Sequence, residues 1–156
     1  MISRWLKRGA VGLVVALVVI QVIPYGRVHR NPGVIAEPAW SSPEVRALAV
    51  RACFDCHSNQ VKWPWYSHVA PVSWLVQHDV DEGRAVLNFS QWNQPWPEAG
   101  ESSETVAEGE MPPRPYLLLH PEARLSPTEK QQLIDGLAAT LGTQKDDDEE
   151  RATAGR

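Results

Sequence analysis

The two cysteines of this 156-residue chain lie three positions apart and are followed at once by a histidine, in the order Cys53-Phe54-Asp55-Cys56-His57. A Cys-x-x-Cys-His sequence is typical of covalent haem attachment. In that chemistry the two thiols add across the haem vinyl groups as thioethers, and the adjacent histidine becomes the proximal iron ligand. The motif therefore predicts one covalently attached haem c, with its iron, bound through Cys53, Cys56 and His57.

Other uses of these three side chains are disfavoured. A redox dithiol of thioredoxin type needs a strand before the motif and a βαβ context, whereas a capped helix is predicted here. A structural zinc site needs further ligands at similar spacing, and the sequence holds no other cysteine. A plain disulfide between Cys53 and Cys56 leaves His57 without a role.

The second axial position of the iron would need its own ligand. Apart from the initiator, the chain has one methionine, Met111, in the stretch Gly109-Glu110-Met111-Pro112-Pro113. A thioether ligand raises the reduction potential of haem iron, and two prolines stiffen the loop that would present it. We expect Met111 to be the distal metal ligand. The alternatives are a methionine that fills a core gap and a histidine, above all His68, which lies close to Trp65 and Tyr66.

Aromatic residues are dense between the haem motif and the methionine. Trp63, Trp65 and Tyr66 form a rigid turn just after the motif. We predict that they bind the cofactor, the two tryptophans by walling the flat macrocycle from water and Tyr66 by reaching a haem propionate. Some of these rings could instead pack the core of a small domain. His78 and His120 are weaker distal candidates, since His78 is expected to be exposed and His120 to be a satisfied structural histidine.

The amino end is predicted to be a signal anchor, over residues 1–24. Arg4, Lys7 and Arg8 precede an apolar run from Gly9 to Ile23, a pattern that predicts a transmembrane helix with its basic end in the cytoplasm. The run ends in bulky residues, which favours an uncleaved anchor over a cleaved signal. The chain would then be a single-pass protein of the inner membrane, with its haem domain on the periplasmic side.

The rest of the chain divides into three parts. Residues 25–40 are rich in proline and glycine and are predicted to be an extended tether. Residues 41–142 are predicted to be the haem-binding domain, which is mainly α-helical because no strand-like alternation is present. Its clearest helix begins at Ser126-Pro127-Thr128-Glu129, a capping box with proline at the first helical position. Residues 143–156 hold a block of acidic residues and are predicted to be a disordered tail.

The charge of the chain excludes one class of function. The formal net charge is −4, and taking the three amino-terminal cations from the 15 basic residues leaves 12 against 19 acidic residues. Nucleic-acid binding requires clustered lysine and arginine, so no nucleic-acid partner is expected. Redox partner proteins are expected, but charge does not identify them.

Together, these motifs resemble the bacterial haem-binding-domain family, whose members are small, often membrane-anchored monohaem proteins similar to c-type cytochromes. The resemblance covers residues 45–141 and is more specific than the Cys-x-x-Cys-His sequence alone. It implies a mostly helical, cytochrome-c-like fold, with His57 as proximal and Met111 as distal ligand. The matching residues are Cys53 to Asn59, Trp63 to Ser67, Ala70 to Trp74, Gly83-Arg84, Leu87 to Ser90, Trp92, Met111-Pro112 and Tyr116 through Leu125-Ser126.

Two functions follow from this reading. The first is electron transfer by a membrane-tethered monohaem cytochrome, in which both axial sites are closed and no catalytic residue is expected. The alternative is a haem-based enzyme or sensor for peroxide or a gas, which requires an open or labile distal site. A thiol or zinc protein without haem is a third hypothesis.

Overall fold

Residues 2–143 are described by the structure, a computed structural model, and they form seven α-helices joined by loops and short 3₁₀ turns. No β-strand occurs within this range, where one isolated bridge joins Ala36 and Gln91. The mainly α-helical class predicted from the sequence is therefore confirmed. Most of the predicted acidic tail lies outside the described residues. The helices are α1 (Ile2–Ile20), α2 (Pro43–Ala52), α3 (Phe54–His57), α4 (Val72–Val86), α5 (Ser102–Glu108), α6 (Arg114–Leu119) and α7 (Pro127–Leu141).

Capping residues fix where α2 and α7, two helices of the domain core, begin. At α2 the cap is Ser42, whose hydroxyl accepts a hydrogen bond from the amide of Val45 at 3.2 Å. Ser41, the residue before it, instead donates its hydroxyl hydrogen to the carbonyl of Gly136 in α7 at 3.1 Å. At α7 both hydrogen bonds of the predicted capping box between Ser126 and Glu129 are present. Such a cap stabilises a helix by roughly 1 kcal/mol.

The hydrophobic core lies between α2, α5 and α7, with the chain after α4 closing one side. The apolar face of α2 packs against that of α7, and Gly136 of α7 leaves room for Val45, because a Cβ atom there would overlap that side chain. Burial of each large apolar side chain contributes roughly 1.5–3 kcal/mol. The buried members of this core are Val45, Leu48, Ala49, Phe54, Leu87, Phe89, Ala99, Val106, Leu133 and Leu137.

The segment predicted as a tether, residues 25–40, is extended and runs along the helical domain. The side chain of Asn31 pairs with both backbone groups of Val61, through hydrogen bonds of 2.9 and 3.2 Å. Further along, Asn59 donates its side-chain amide to the carbonyl of Gly33 at 3.0 Å. The segment is therefore attached to the chain just after the haem motif.

Helix α1 forms within the predicted anchor, but it ends at Ile20 and includes Arg4, Lys7 and Arg8. Among residues 2–143, no helix is both long enough and apolar enough to cross a membrane. The transmembrane helix predicted from the sequence is therefore not supported, because the apolar run is shared between a helix that also carries three cations and the turn that follows it.

Candidate functional site

Helix α2 ends at the haem motif, and the motif itself forms the single turn of α3. The amide of Cys53 donates to the carbonyl of Ala49 at 2.8 Å, while its own carbonyl accepts from the amides of Cys56 and His57 at 3.2 and 2.9 Å. Phe54 is buried and fixes the turn in the core. Both cysteines are free thiols. The turn thus presents two thiols and one imidazole from five consecutive residues.

The imidazole of His57 is held by a backbone carbonyl. Its Nδ1 lies 3.1 Å from the oxygen of Leu87, and since a carbonyl can only accept, Nδ1 carries the hydrogen. Burial lowers the pKa of His57, which favours the neutral ring. The lone pair of the neutral ring then lies on Nε2. This tautomer, with the other nitrogen bound to a carbonyl, is the arrangement found in histidines that ligate metals.

A buried polar network fixes the loop that supplies this carbonyl. The amide of Phe89 donates to the carbonyl of His57 at 2.8 Å. Asn88 donates its side-chain amide to the side-chain oxygen of Asn59 at 2.9 Å, and the amide of Asn59 donates to the hydroxyl of Ser90, also at 2.9 Å. The residue patterns did not predict this role of Leu87-Asn88-Phe89-Ser90. Only the family resemblance marked it.

Both thiols are poor candidates for redox exchange. Burial raises the pKa of Cys53 to about 12, with a smaller contribution from Cys56. Burial followed by the nearby carboxyl of Asp79 raises the pKa of Cys56 to about 12 as well. Reactive dithiols instead have lowered thiol pKa values. The site therefore disfavours a thioredoxin-type function.

A cleft opens beside Cys56, between α4, α6 and the 3₁₀ turn Trp65–His68. Its walls include Tyr66, Val76, Tyr116 and His120. The hydroxyl of Tyr66 lies 3.1 Å from Nε2 of His120. This cleft brings one cysteine of the motif, Cys56, together with aromatic side chains.

The predicted aromatic residues occupy different surroundings. Tyr66 shares the cleft with Cys56. Trp63 stacks on His29, with ring centroids 4.4 Å apart, and its indole nitrogen is buried with no hydrogen-bond partner among the described residues. Trp65 is 79 % exposed and contacts Tyr66 edge to face. Of the three, Tyr66 is thus the one that the structure brings beside the attachment motif.

The loop of Met111 is attached to α5 on its amino side. The amides of Glu110 and Met111 both donate to the carbonyl of Thr105, at 3.0 and 3.2 Å, and Gly109 ends α5 with a positive φ of 80°. The side chain of Met111 is 39 % exposed. Its role as a distal ligand stays a prediction.

The histidines considered as rivals have other partners. His68 is exposed and lies against the ring of His29, with centroids 4.3 Å apart. His78 is paired with Glu82 on the exposed side of α4 at 3.3 Å. His120 stacks on Tyr116, with centroids 3.8 Å apart, as expected of a satisfied structural histidine.

The donor set fits a covalently attached haem better than a zinc ion. Two free thiols and a neutral imidazole with Nε2 available are the groups that haem c attachment uses. No group of three or more potential His, Cys, Asp or Glu metal ligands occurs in the described part of the chain. A closed structural zinc site almost always has four protein ligands.

Comparison with known proteins agrees with this geometry. A family model described as a haem-binding domain matches residues 15–139, which is well over half of the chain. No curated protein and no solved structure matches the sequence. The match includes the motif, the Leu87 loop and the loop of Met111. The chain belongs to the haem-binding domain family.

Proposed function

We propose that this protein is a membrane-associated monohaem c-type cytochrome that transfers electrons. Thioether bonds from Cys53 and Cys56 would hold the haem, and His57 would be the proximal iron ligand. The observation that carries this proposal is the hydrogen bond between Nδ1 of His57 and the carbonyl of Leu87. A hydrogen bond of that kind fixes the ring orientation and increases the basicity of the ligating nitrogen.

The chain's own residues have distinct tasks in this function. When bound, the haem supplies a one-electron couple between ferric and ferrous iron. Phe54 anchors the attachment turn in the core, and the Leu87 loop keeps the imidazole neutral and oriented. A cytochrome-c-like arrangement is supported by the helical domain and by the cleft beside Cys56, where Tyr66 could contact the ring.

We further propose Met111 as the distal ligand. The backbone of its loop is restricted on both sides of Met111. Before the side chain, the amides of Glu110 and Met111 donate to the carbonyl of Thr105, and after it two prolines follow. Two closed axial positions would allow electrons to pass through the haem edge without forming or breaking a bond to iron. A thioether ligand would also raise the reduction potential.

A haem stain of the denatured protein tests covalent attachment. The full chain is expressed in a host that matures c-type cytochromes and compared with the Cys53→Ala/Cys56→Ala variant. Haem that stays on the denatured wild-type chain and is lost from the variant supports the proposal. A colourless wild-type chain would sink it, and zinc analysis with a thiol count would then test the remaining hypotheses.

A haem sensor or enzyme is the second candidate function. One observation favours it: the Met111 side chain is partly exposed, while Tyr66 and His120 place hydrogen-bonding groups in the cleft beside Cys56. Rapid binding of carbon monoxide by the reduced wild-type protein would support this candidate. Slow or absent binding, together with loss of the low-spin spectrum in Met111→Ala, supports the electron carrier.

We propose that α1 holds the protein at a membrane, with the haem domain on the extracytoplasmic side. The apolar side chains of α1 are exposed, including Leu13 and Val18, and its cations lie at the opposite end. Covalent attachment of haem takes place outside the cytoplasm, which is consistent with this location of the haem domain. Cell fractionation tests it, since the wild type should sediment with membranes and Val14→Glu/Val18→Glu should be released. Equal release of both chains would contradict the proposal.

A further inference from the structure

Helix α6, which follows the loop of Met111, is not held in place by the hydrophobic core. None of its residues, Arg114–Leu119, is buried. Its position relative to the haem motif must therefore depend on specific side-chain contacts. Two such contacts reach across the cleft, one from Tyr116 and one from His120 at the end of the helix.

The stronger contact joins Tyr116 to Asp55, one of the two residues between the cysteines. The hydroxyl of Tyr116 donates to Oδ2 of Asp55 at 2.8 Å. The other carboxylate oxygen, Oδ1, accepts from the amide of Lys62 at 2.9 Å. Because both oxygens have partners, the carboxylate is fixed on the attachment turn. A hydrogen bond to a charged acceptor is also about twice as strong as one between neutral groups.

The ring of Tyr116 is fixed as well. It stacks on His120 with centroids 3.8 Å apart and planes inclined by 12°. Nδ1 of His120 donates to the carbonyl of Tyr116 at 2.9 Å, which leaves Nε2 to accept from the hydroxyl of Tyr66 at 3.1 Å. Tyr116 therefore has a single direction in which to present its hydroxyl, toward Asp55.

The chain between Tyr116 and Met111 is stiff. Three of the four intervening residues are proline, at positions 112, 113 and 115, and each proline fixes its own φ near −65°. On the other side, the amides of Glu110 and Met111 are bound to Thr105. A shift of Tyr116 would therefore be transmitted to Met111 and not absorbed by the connecting residues.

We propose that Tyr116 is a positioning residue whose hydrogen bond to Asp55 sets the placement of Met111 as the distal iron ligand. The inference rests on the proposed function, because it requires a haem with methionine ligation. The bond acts through the loop and does not touch the iron. It joins the helix that follows the Met111 loop to Asp55, one of the two residues between the cysteines.

The test compares four haem-loaded, full-length proteins, the wild type and the variants Tyr116→Phe, Met111→Ala and Tyr25→Phe. Tyr116→Phe keeps the ring that stacks on His120 and removes the hydroxyl. Tyr25→Phe is the matched control, since Tyr25 is 47 % exposed and lies in the extended segment. The readouts are the methionine-to-iron charge-transfer band of the ferric protein, the reduction potential, and the rate of carbon monoxide binding to the ferrous protein.

We expect Tyr116→Phe to weaken the charge-transfer band, lower the reduction potential and increase the carbon monoxide binding rate about tenfold. Tyr25→Phe should match the wild type. If Met111→Ala changes all three readouts and Tyr116→Phe changes none, the inference is overturned and the proposed ligand stands. If Met111→Ala changes none, the proposed distal ligand fails, and the inference fails with it.

A second comparison separates positioning from loss of folding. Adding Tyr116→Phe to Asp55→Ala should have no further effect on the carbon monoxide rate, because both changes remove the same bond. Additive effects would overturn the inference. Hydrogen exchange at the amide of Met111 in the haem-loaded Tyr116→Phe variant should also be faster than in the wild type, and unchanged exchange would contradict the proposed coupling.

Discussion

Gly83 in α4 lies directly against the backbone of Cys56 in the haem motif. A Cβ atom at this position would come within 2.7 Å of the Cys56 carbonyl oxygen and 2.9 Å of the Cys56 Cβ atom. Gly83 does not end α4, which continues to Val86. The glycine is required because it lets α4 approach the attachment turn.

Replacing Gly83 with alanine should therefore push α3 and α4 apart. Overpacking costs about 1–3 kcal/mol, and the better helix propensity of alanine returns about 1 kcal/mol. The difference is a net loss of up to about 2 kcal/mol in free energy of unfolding, with less covalent haem per chain. Urea unfolding and haem quantification measure the two effects.

Gly12→Ala is the matched control for this change. Gly12 is also helical, but a Cβ atom there would have no heavy atom within 4 Å. The control should keep the wild-type haem content and lose no stability, because alanine favours the helix and meets no neighbour there. If Gly83→Ala has the same stability and haem content as Gly12→Ala, then α4 does not pack against Cys56 as closely as this contact requires.

The buried hydrogen bond between Asn88 and Asn59 should contribute more to the free energy of unfolding than an exposed side-chain amide does. Both side chains are buried, and Asn88→Ala leaves the Asn59 oxygen without its partner. An unsatisfied buried polar group costs about 1–3 kcal/mol, and we expect a loss of that size in chemical denaturation. Asn93→Ala, at an exposed position, should change stability by less than about 0.5 kcal/mol. Equal effects of both substitutions would refute the buried network.

The parts of the fold that the sequence predicted are those with local signals. The capping box of Ser126 and Glu129 and the Cys53–His57 motif depend on fixed spacing within a single turn, so neighbouring residues alone determine them. The helical class followed in the same way, because strand-like alternation is a local pattern and the sequence of the domain lacks it. These features need no knowledge of distant parts of the chain.

The parts that were missed depend on contacts between distant segments. The carbonyl of Leu87, which orients His57, is a backbone group, and no side-chain pattern marks a carbonyl. The bond between Tyr116 and Asp55 joins residues 61 positions apart. The anchor prediction was not supported for a related reason, since hydropathy of a run does not determine where the helix ends.

The capping box of α7 should make the free energy of unfolding depend on pH. Hydrogen bonds from Ser126 and the nearby guanidinium of Arg51 lower the pKa of Glu129 to about 2. Because the pKa of Glu129 is lower in the folded state, its charge stabilises the fold fully above the ordinary carboxyl pKa of about 4.3. This contribution to the free energy of unfolding is lost as pH falls toward 2.

The variant Glu129→Gln can still accept from Ser126 but lacks the charge. We expect the wild type to be more stable than the variant above about pH 5 and the two to converge near pH 2. Denaturation at several pH values measures the difference, with Glu98→Gln at an exposed loop position as the control. A difference that does not change between these pH values would exclude the charge as its source.

The guanidinium of Arg84 should determine how firmly the extended segment is held. It donates to the carbonyls of Ser58 and Arg30 at 2.8 and 3.1 Å and to the side-chain oxygen of Asn31 at 3.1 Å. Arg84→Lys keeps the charge, but a single ammonium cannot reproduce the planar fork that reaches three acceptors. The substitution also leaves the number of trypsin sites unchanged.

Limited trypsin digestion should therefore cut Arg84→Lys faster than the wild type at Arg30, which is exposed. Loss of two hydrogen bonds of about 1 kcal/mol each predicts an increase of about tenfold or more when cleavage follows local opening. Arg114→Lys, at an exposed position in α6, should be cut like the wild type. Equal rates for all three proteins would mean that the pairing of Asn31 with Val61 holds the segment without Arg84.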